Sequence, residues 1–310
     1  MSRLRNKLYL LISLLFLTFS LQSFGQEDEE EEDLLSMLES EQEPITNFTI
    51  ATFKSTRLVS GHSVETVAEG EFMFIIGHRF GELNSGWRDL FGLDNATIRL
   101  GGDFGITDAI DVGIGRSSFQ KTYDGFVKAK VLRQKSGAES FPITLTAMSN
   151  IYLRGDEWEN PDRENYQTSR MVFSTSAMFA RKVNDGLSIQ LTPMMVHRNI
   201  VPTPEDENMV FLGSLGTSIK MSGSSRINAE YFYLPDGQIV SQLGGQDLRN
   251  AFSLGFDIET GGHVFQLHMT NSKGMTEKFL ATETVGEWGA GDIYFGFNVN
   301  RNFNIKKKKK

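Results

Sequence analysis

The sequence predicts an all-β protein: an antiparallel up-and-down transmembrane β-barrel of about twelve strands, with short periplasmic turns and longer extracellular loops. Three observations predict it. Apolar and polar residues alternate along many segments of about 9 to 14 residues, longer than ordinary strands and long enough to cross a bilayer at a tilt. The connections between these segments alternate between short and long. The last segment, Ile293 to Ile305, carries Ile293, Phe295, Phe297, Val299, Phe303 and Ile305 on one face and Asn298, Asn300, Asn302 and Asn304 on the other.

Composition agrees with this class. Hydrophobic residues make up 39% of the 310, because a barrel needs an apolar residue only at every second strand position. The net charge of −8 argues against a nucleic-acid partner, which needs a surplus of Lys and Arg. There is no cysteine, which excludes disulfides, thiolate metal sites and acylation of a lipoprotein cysteine. The expected cofactor set is therefore empty.

Residues 1–25 read as a cleaved signal peptide. Arg3, Arg5 and Lys7 precede the apolar run Leu8 to Leu21, and Ser23 and Gly25 supply the small residues for cleavage before Gln26. Residues 26–50 form an acidic tail with an unbroken run from Glu27 to Asp33. One short helical pattern follows at Leu34, Leu35 and Leu38, and Pro44 ends it. The plain reading is a solvated, disordered periplasmic tail. The sharper one is a docking peptide for a periplasmic protein, or a lid on the barrel mouth. Residues 51–70 break their pattern at Ser60-Gly61-His62 and read as a lead-in or partial plug.

The barrel is expected over 71–305, followed by a basic tail, 306–310. The first strand places Phe72, Phe74 and Ile76 on one face, and the second Ile98, Leu100, Phe104 and Ile106 opposite Arg99 and Asp103. Ile110, Val112 and Ile114 oppose Asp111 in the third. Tyr123, Val127, Ala129 and Val131 oppose Asp124, Lys128 and Lys130 in the fourth. The fifth carries Ile143, Leu145, Ala147 and Ile151. The sixth carries Met171, Phe173, Ala177 and Phe179, and the seventh Leu187, Ile189 and Leu191. Phe211, Leu215 and Ile219 mark the eighth. Ile227, Ala229, Tyr231 and Tyr233 oppose Arg226 and Glu230 in the ninth. Phe252, Leu254, Phe256 and Ile258 oppose Asp257 and Glu259 in the tenth, and Phe265, Leu267 and Met269 oppose His268 in the eleventh.

Links after even strands are short, as at Thr107-Asp108-Ala109 and Asn184-Asp185-Gly186. Links after odd strands are long, as at Gly81 to Asn95, Gly155 to Asn165, Pro235 to Arg249 and Asn271 to Gly291, except Ser118 to Lys121. Trp87, Leu90 and Phe91 suggest a short interfacial helix in the first long loop. Phe80, Phe119, Tyr123, Phe141, Tyr152 and Tyr233 suggest an aromatic girdle. Either feature also suits ordinary core packing.

The runs Gly61-His62-Ser63-Val64-Glu65-Thr66, Phe74 to Gly81, Gly105-Ile106-Thr107-Asp108, Val112 to Phe119 and Lys121 to Phe126 resemble a domain-of-unknown-function family of Bacteroidota β-barrel proteins, from residue 50 onward. The resemblance implies a barrel and carries over no functional residue.

No histidine pair has metal-ligand spacing among His62, His78, His197, His263 and His268. An outer-membrane lipase needs a serine beside a histidine on the lipid-facing wall. His78 faces outward, but no outward serine lies two positions from any strand histidine. The chain is read as a non-enzyme, with the hydrolase kept as the third functional alternative.

The expected lumen lining is Arg99, Asp103, Asp111, Asp124, Lys128, Lys130, Arg226, Glu230, Asp257, Glu259, His268, Asn298 and Asn300. Such charges are costly in a confined interior unless paired or hydrated, so they either form ion pairs across a closed barrel or line a wet path. The reading is an outer-membrane barrel acting as a narrow channel for small polar solutes. A non-conducting scaffold binding partners through its loops and acidic tail is the alternative, and a soluble exported β protein a further one. Outer-membrane lipid and the barrel-assembly machinery are the expected partners. Because Phe303 is followed by Asn304, Ile305 and five lysines, the assembly signal is expected to be internal.

Overall fold

The structure, a computed structural model, describes residues 45–158, 161–162 and 164–305. The expected signal peptide, most of the acidic tail and the lysine run lie outside the described residues.

Fourteen strands are present among the described residues. Twelve close a barrel: β2 (Glu71–Glu82), β3 (Ala96–Thr107), β4 (Ile110–Ser117), β5 (Tyr123–Leu132), β7 (Thr144–Leu153), β8 (Met171–Lys182), β9 (Leu187–Arg198), β10 (Met209–Lys220), β11 (Ser225–Tyr233), β12 (Phe252–Thr260), β13 (His263–Thr270) and β14 (Tyr294–Asn304). Every neighbouring pair is antiparallel, and β14 closes the wall against β2 with Val299 opposite Ile76 and Phe303 opposite Phe72. Closure leaves no unpaired edge, the condition for placing strands in hydrocarbon. Two further strands, β1 (Thr46–Phe48) and β6 (Lys135–Gly137), pair with each other outside the barrel.

The pleat sorts the side chains. Outward positions are apolar and exposed, among them Leu100, Ile114, Leu191, Phe211, Leu215 and Leu267. An apolar surface running around a closed wall requires hydrocarbon contact. Inward positions are polar and buried, including Asp103, Asp111, Lys128, Glu230, Gln266 and Asn300. The polarity is thus the reverse of a soluble barrel, apart from three apolar clusters inside the lumen. Among the described residues, no helix is long and apolar enough to cross a membrane.

The links Asp108-Ala109, 183–186, 221–224 and Gly261-Gly262 gather at one end with the β5–β7 link, here the turn end. The links 83–95, 154–170, 199–208, 234–251 and 271–293 gather at the other, the loop end, together with the short link 118–122. Two expectations change. The first long loop forms 3-10 turns at Leu83–Ser85 and Trp87–Gly92 in place of an interfacial helix, because Leu90 and Phe91 adopt φ of 46° and 55°. Tyr152 is inward and 1% exposed, so it belongs to no girdle.

Two segments enter the lumen. From the turn end, residues 51–68 rise as a hairpin. Its arms are held by Leu58 N–H to Gly61 O (2.9 Å) and Ser63 N–H to Thr56 O (3.0 Å), and its tip is Val59-Ser60. From the loop end, the β13–β14 loop folds inward and forms helix α1 (Glu277–Thr282), all of whose residues are buried.

Candidate functional site: the occupied lumen

The barrel wall grips the hairpin mainly by its backbone. Glu230 accepts the N–H groups of Val59 (3.3 Å), Ser60 (3.0 Å) and Gly61 (3.1 Å), so the tip wraps around one buried carboxylate. Asn298 donates to Val59 O (2.8 Å), and Gln266 donates to Arg57 O (3.2 Å) and Leu58 O (3.1 Å). Gln190 accepts from Val64 N–H (2.9 Å) and donates to His62 O (2.9 Å), while Thr146 donates to Val64 O (3.1 Å). The hairpin lacks regular strand partners, and these amide side chains complete its hydrogen bonding. Leaving each such buried group unpaired would cost about 1–3 kcal/mol.

Its side chains are paired as well. Arg57 meets Asp103 at 2.9 Å, both groups almost wholly buried, and Thr56 donates to the same carboxylate (3.1 Å). Lys54 pairs with Glu259 near the turn end. Apolar contacts fill what remains. Leu58 fits against Gly216 of β10, where an added Cβ would lie 2.3 Å from Leu58 Cδ1. Phe53, Leu58 and Val64 cluster with Phe126, Met148, Met178 and Ala180 of the wall.

The thirteen expected lumen residues fall into groups. Asp103, Glu230, Glu259, Asn298 and Asn300 bind the hairpin directly, Asn300 through Ser55 Oγ at 2.8 Å. Asp111 faces Lys128 at 3.7 Å and accepts from Val67 N–H at 3.5 Å. Lys128 donates to Glu65 O at 2.5 Å, and Lys130 approaches the Glu65 carboxylate at 3.5 Å. Arg99 and Asp124 pair within the wall, the guanidinium lying over Gly101 and Gly115, where any side chain would collide with it. Arg226 donates to Ser218 Oγ (2.7 Å), Asp257 accepts from Gln266 (3.1 Å), and His268 Nε2 lies 3.2 Å from an Arg79 nitrogen.

Several residues of this network were missed by the sequence reading. Arg79 is fully buried and reaches across the lumen to Ser272 O (2.7 Å), Gly274 O and Ser60 Oγ (2.7 Å), tying the inward loop to the hairpin tip. Glu277 accepts from His62 N–H (2.8 Å) and Tyr152 Oη (3.3 Å). Arg79 was recoverable, since it sits inward one residue after the outward His78, which stacks on Phe297 at 5.1 Å. Glu277 gave no signal, lying in a loop.

Above α1 the loop end opens into a vestibule of about 580 Å³. It is bordered by the loops after β7, β9 and β11 and by Lys278, Thr282 and Glu283. Between hairpin, wall and Glu277 there is a residual space of about 10 Å³, bordered by Leu58, His62, Met178, Thr192, Phe232 and Glu277.

Comparison with solved structures finds distant likenesses. An outer-membrane channel from Pseudomonas putida F1 aligns with a TM-score of 0.44 and 12% identity, covering 77% of this chain and 98% of that one. The CymD monoaromatic hydrocarbon channel gives 0.38 and 9%, covering 77% and 90%. A Rh. blastica porin mutant gives 0.28 and 12%, covering 67% and 55%. Likenesses at this level carry no functional argument. A search of curated proteins finds no match. The family described as "Membrane bound beta barrel domain (DUF5777)" matches residues 53–303, a span holding nearly all of the hairpin and the whole barrel wall up to Phe303, and the chain belongs to that family.

Proposed function

We propose that this protein is a gated outer-membrane channel for small polar solutes, closed at rest by the hairpin 51–68 and the inward loop carrying α1. In this reading the turn end faces the periplasm and the long loops face outward. The observation that carries it is the chemistry of the wall under the hairpin. Asp103, Glu230, Gln266, Asn298 and Asn300 are buried polar groups that all bind one segment, Glu230, Gln266 and Asn298 through its backbone and Asp103 and Asn300 through its side chains. A wall built only to be filled would be served by apolar packing, without the cost of desolvating charges. A wall of amides and carboxylates can exchange hairpin for water with little net loss, and what remains is a hydrophilic path.

The test is planar-bilayer conductance of the mature chain, of the chain lacking residues 51–68, and of Glu230→Ala. The expected result is a mostly closed wild type, a large sustained rise on deletion, and frequent openings in Glu230→Ala as the hairpin tip loses its shared acceptor. A folded Glu230→Ala barrel with an unseated tip and no current overturns the channel and leaves a non-conducting scaffold.

A further inference from the structure

The vestibule is bordered by two arginines that form no ion pair with a carboxylate among the described residues. Arg198, the last residue of β9, borders it and is only 9% exposed. Its Nη2 donates to Glu207 O (2.6 Å), while its buried Nε has no partner. Arg170 is the last residue of the β7–β8 loop. It donates to the backbone oxygen of Asp156, and its guanidinium lies 3.4 Å from the centre of the Trp158 ring. Asp206 and Glu283 act on Arg198 through space, but neither reaches it in an ion pair.

The nearby acids are committed elsewhere or exposed. Arg154 is matched by Asp156 (2.9 Å) and Lys278 by Glu283 (2.9 Å), and Glu283 also accepts from Gln120. Asp206 is held by the N–H groups of Val240, Ser241 and Thr203. Glu157 and Glu164 lie at the exposed rim, where Glu164 accepts from Tyr166 Oη. Val172, Ile200, Val201, Ile239, Leu243 and Leu248 give the lining an apolar part, beside neutral polar groups such as Asn165, Ser169 and Gln242.

We infer that the vestibule binds a small organic monoanion, a carboxylate with an apolar body, its charge on Arg198 and Arg170 and its body against the aliphatic wall. This rests on the channel reading and names the class of solute it admits. A buried guanidinium without a directly paired carboxylate is costly, and a carboxylate meets its planar fork with paired hydrogen bonds. The cavity volume falls in the range of small-molecule sites, which combine an apolar lining with a few placed polar groups. A bare inorganic anion would leave the aliphatic wall uncovered. A neutral apolar molecule would leave Arg198 unmatched.

The test is calorimetric titration of the full mature chain in lipid nanodiscs with benzoate, benzyl alcohol and sulfate. Saturable one-site binding of benzoate is expected, with benzyl alcohol and sulfate each at least about tenfold weaker. Arg198→Gln and Arg170→Gln should each weaken benzoate about tenfold, and Arg198→Lys less, since it keeps the charge and loses the fork. Unchanged melting of Arg170→Gln separates lost binding from lost folding. The inference is overturned by equal binding of sulfate or benzyl alcohol, by indifference to both glutamine substitutions, or by no saturation up to about 10 mM benzoate. A barrel that never conducts yet binds benzoate overturns the channel alone. One that conducts and ignores benzoate overturns this site alone.

Discussion

Glu277, on the helix that folds in from the loop end, accepts the backbone N–H of His62, on the hairpin that rises from the turn end, at 2.8 Å. The two closures of the barrel therefore meet at one carboxylate. Arg79 makes the second link, since it holds Ser272 O and Gly274 O of the inward loop and Ser60 Oγ of the hairpin. Two segments far apart in sequence are tied into one plug, and loosening either should loosen the other.

Glu277→Ala tests that coupling. It leaves the buried His62 amide without its acceptor and takes one of two partners from the Tyr152 hydroxyl, a cost of about 1–3 kcal/mol. Hydrogen exchange should accelerate both in α1 and across residues 58–63, with conductance rising in parallel. Acceleration confined to α1 would mean the two closures are independent.

Gly105 tests how closely the base of the hairpin is fitted. A Cβ there would lie 2.1 Å from Ala68 O and 2.6 Å from Val67 O, both backbone atoms that cannot rotate away. Gly105→Ala should push residues 67–70 off the wall, break the Gly70 N–H to Gly105 O bond (2.9 Å), and cost about 1–3 kcal/mol as an overpacked site. Exchange of the Gly70 amide and the melting temperature report it. A variant melting with the wild type and keeping that amide protected would show that the segment yields freely.

Asp206 predicts an acid response of the loops at the loop end. Burial pushes its carboxyl up, but hydrogen bonds from the Ser241 side chain and from the N–H groups of Ser241, Val240 and Thr203 outweigh this and hold it at about 2, below the usual 3.8. A pKa lowered by folding contributes stability that is complete above the unfolded value and is lost as pH falls through the folded one. The staple between loops 199–208 and 234–251 should hold at neutral pH and weaken as pH falls from about 4 towards 2. Exchange at Val240 and Ser241, corrected for intrinsic rate, should speed up over that window. In Asp206→Asn it should be fast already at pH 7 and lack the acid step. A wild type without that step contradicts the assignment.

The barrel was legible because its signal is periodic and repeated. Outward residues such as Leu100, Phe211 and Leu267 meet hydrocarbon, so each strand must carry its apolar residues at every second position regardless of its neighbours. Link lengths follow from chain order alone. The interior was less legible. The polar faces were readable, including the problem posed by Asp103, Lys128 and Glu230, whose charge needs a partner. The partners themselves were sought only among other wall residues and water, whereas Asp103 is met by Arg57, Glu259 by Lys54, and Glu230 by three amides of the hairpin. Backbone groups leave no trace in a residue pattern, and a hairpin held by wall side chains needs no periodicity of its own. Helix α1 is six residues long, too short for a helical repeat to register.

The closing strand shows where the division falls. By itself the sequence determined that β14 has an apolar face with Phe297 and Phe303 and an amide face with Asn298 and Asn300, and that eleven like strands share the pattern. A two-residue period is a local property. Only the tertiary structure decided what the amide face touches. Asn298 donates to Val59 O and Asn300 to Ser55 Oγ, so the row of asparagines holds a chain segment from more than two hundred residues earlier. That choice depends on which segment the closed wall encloses, and enclosure exists only once the last strand has met the first.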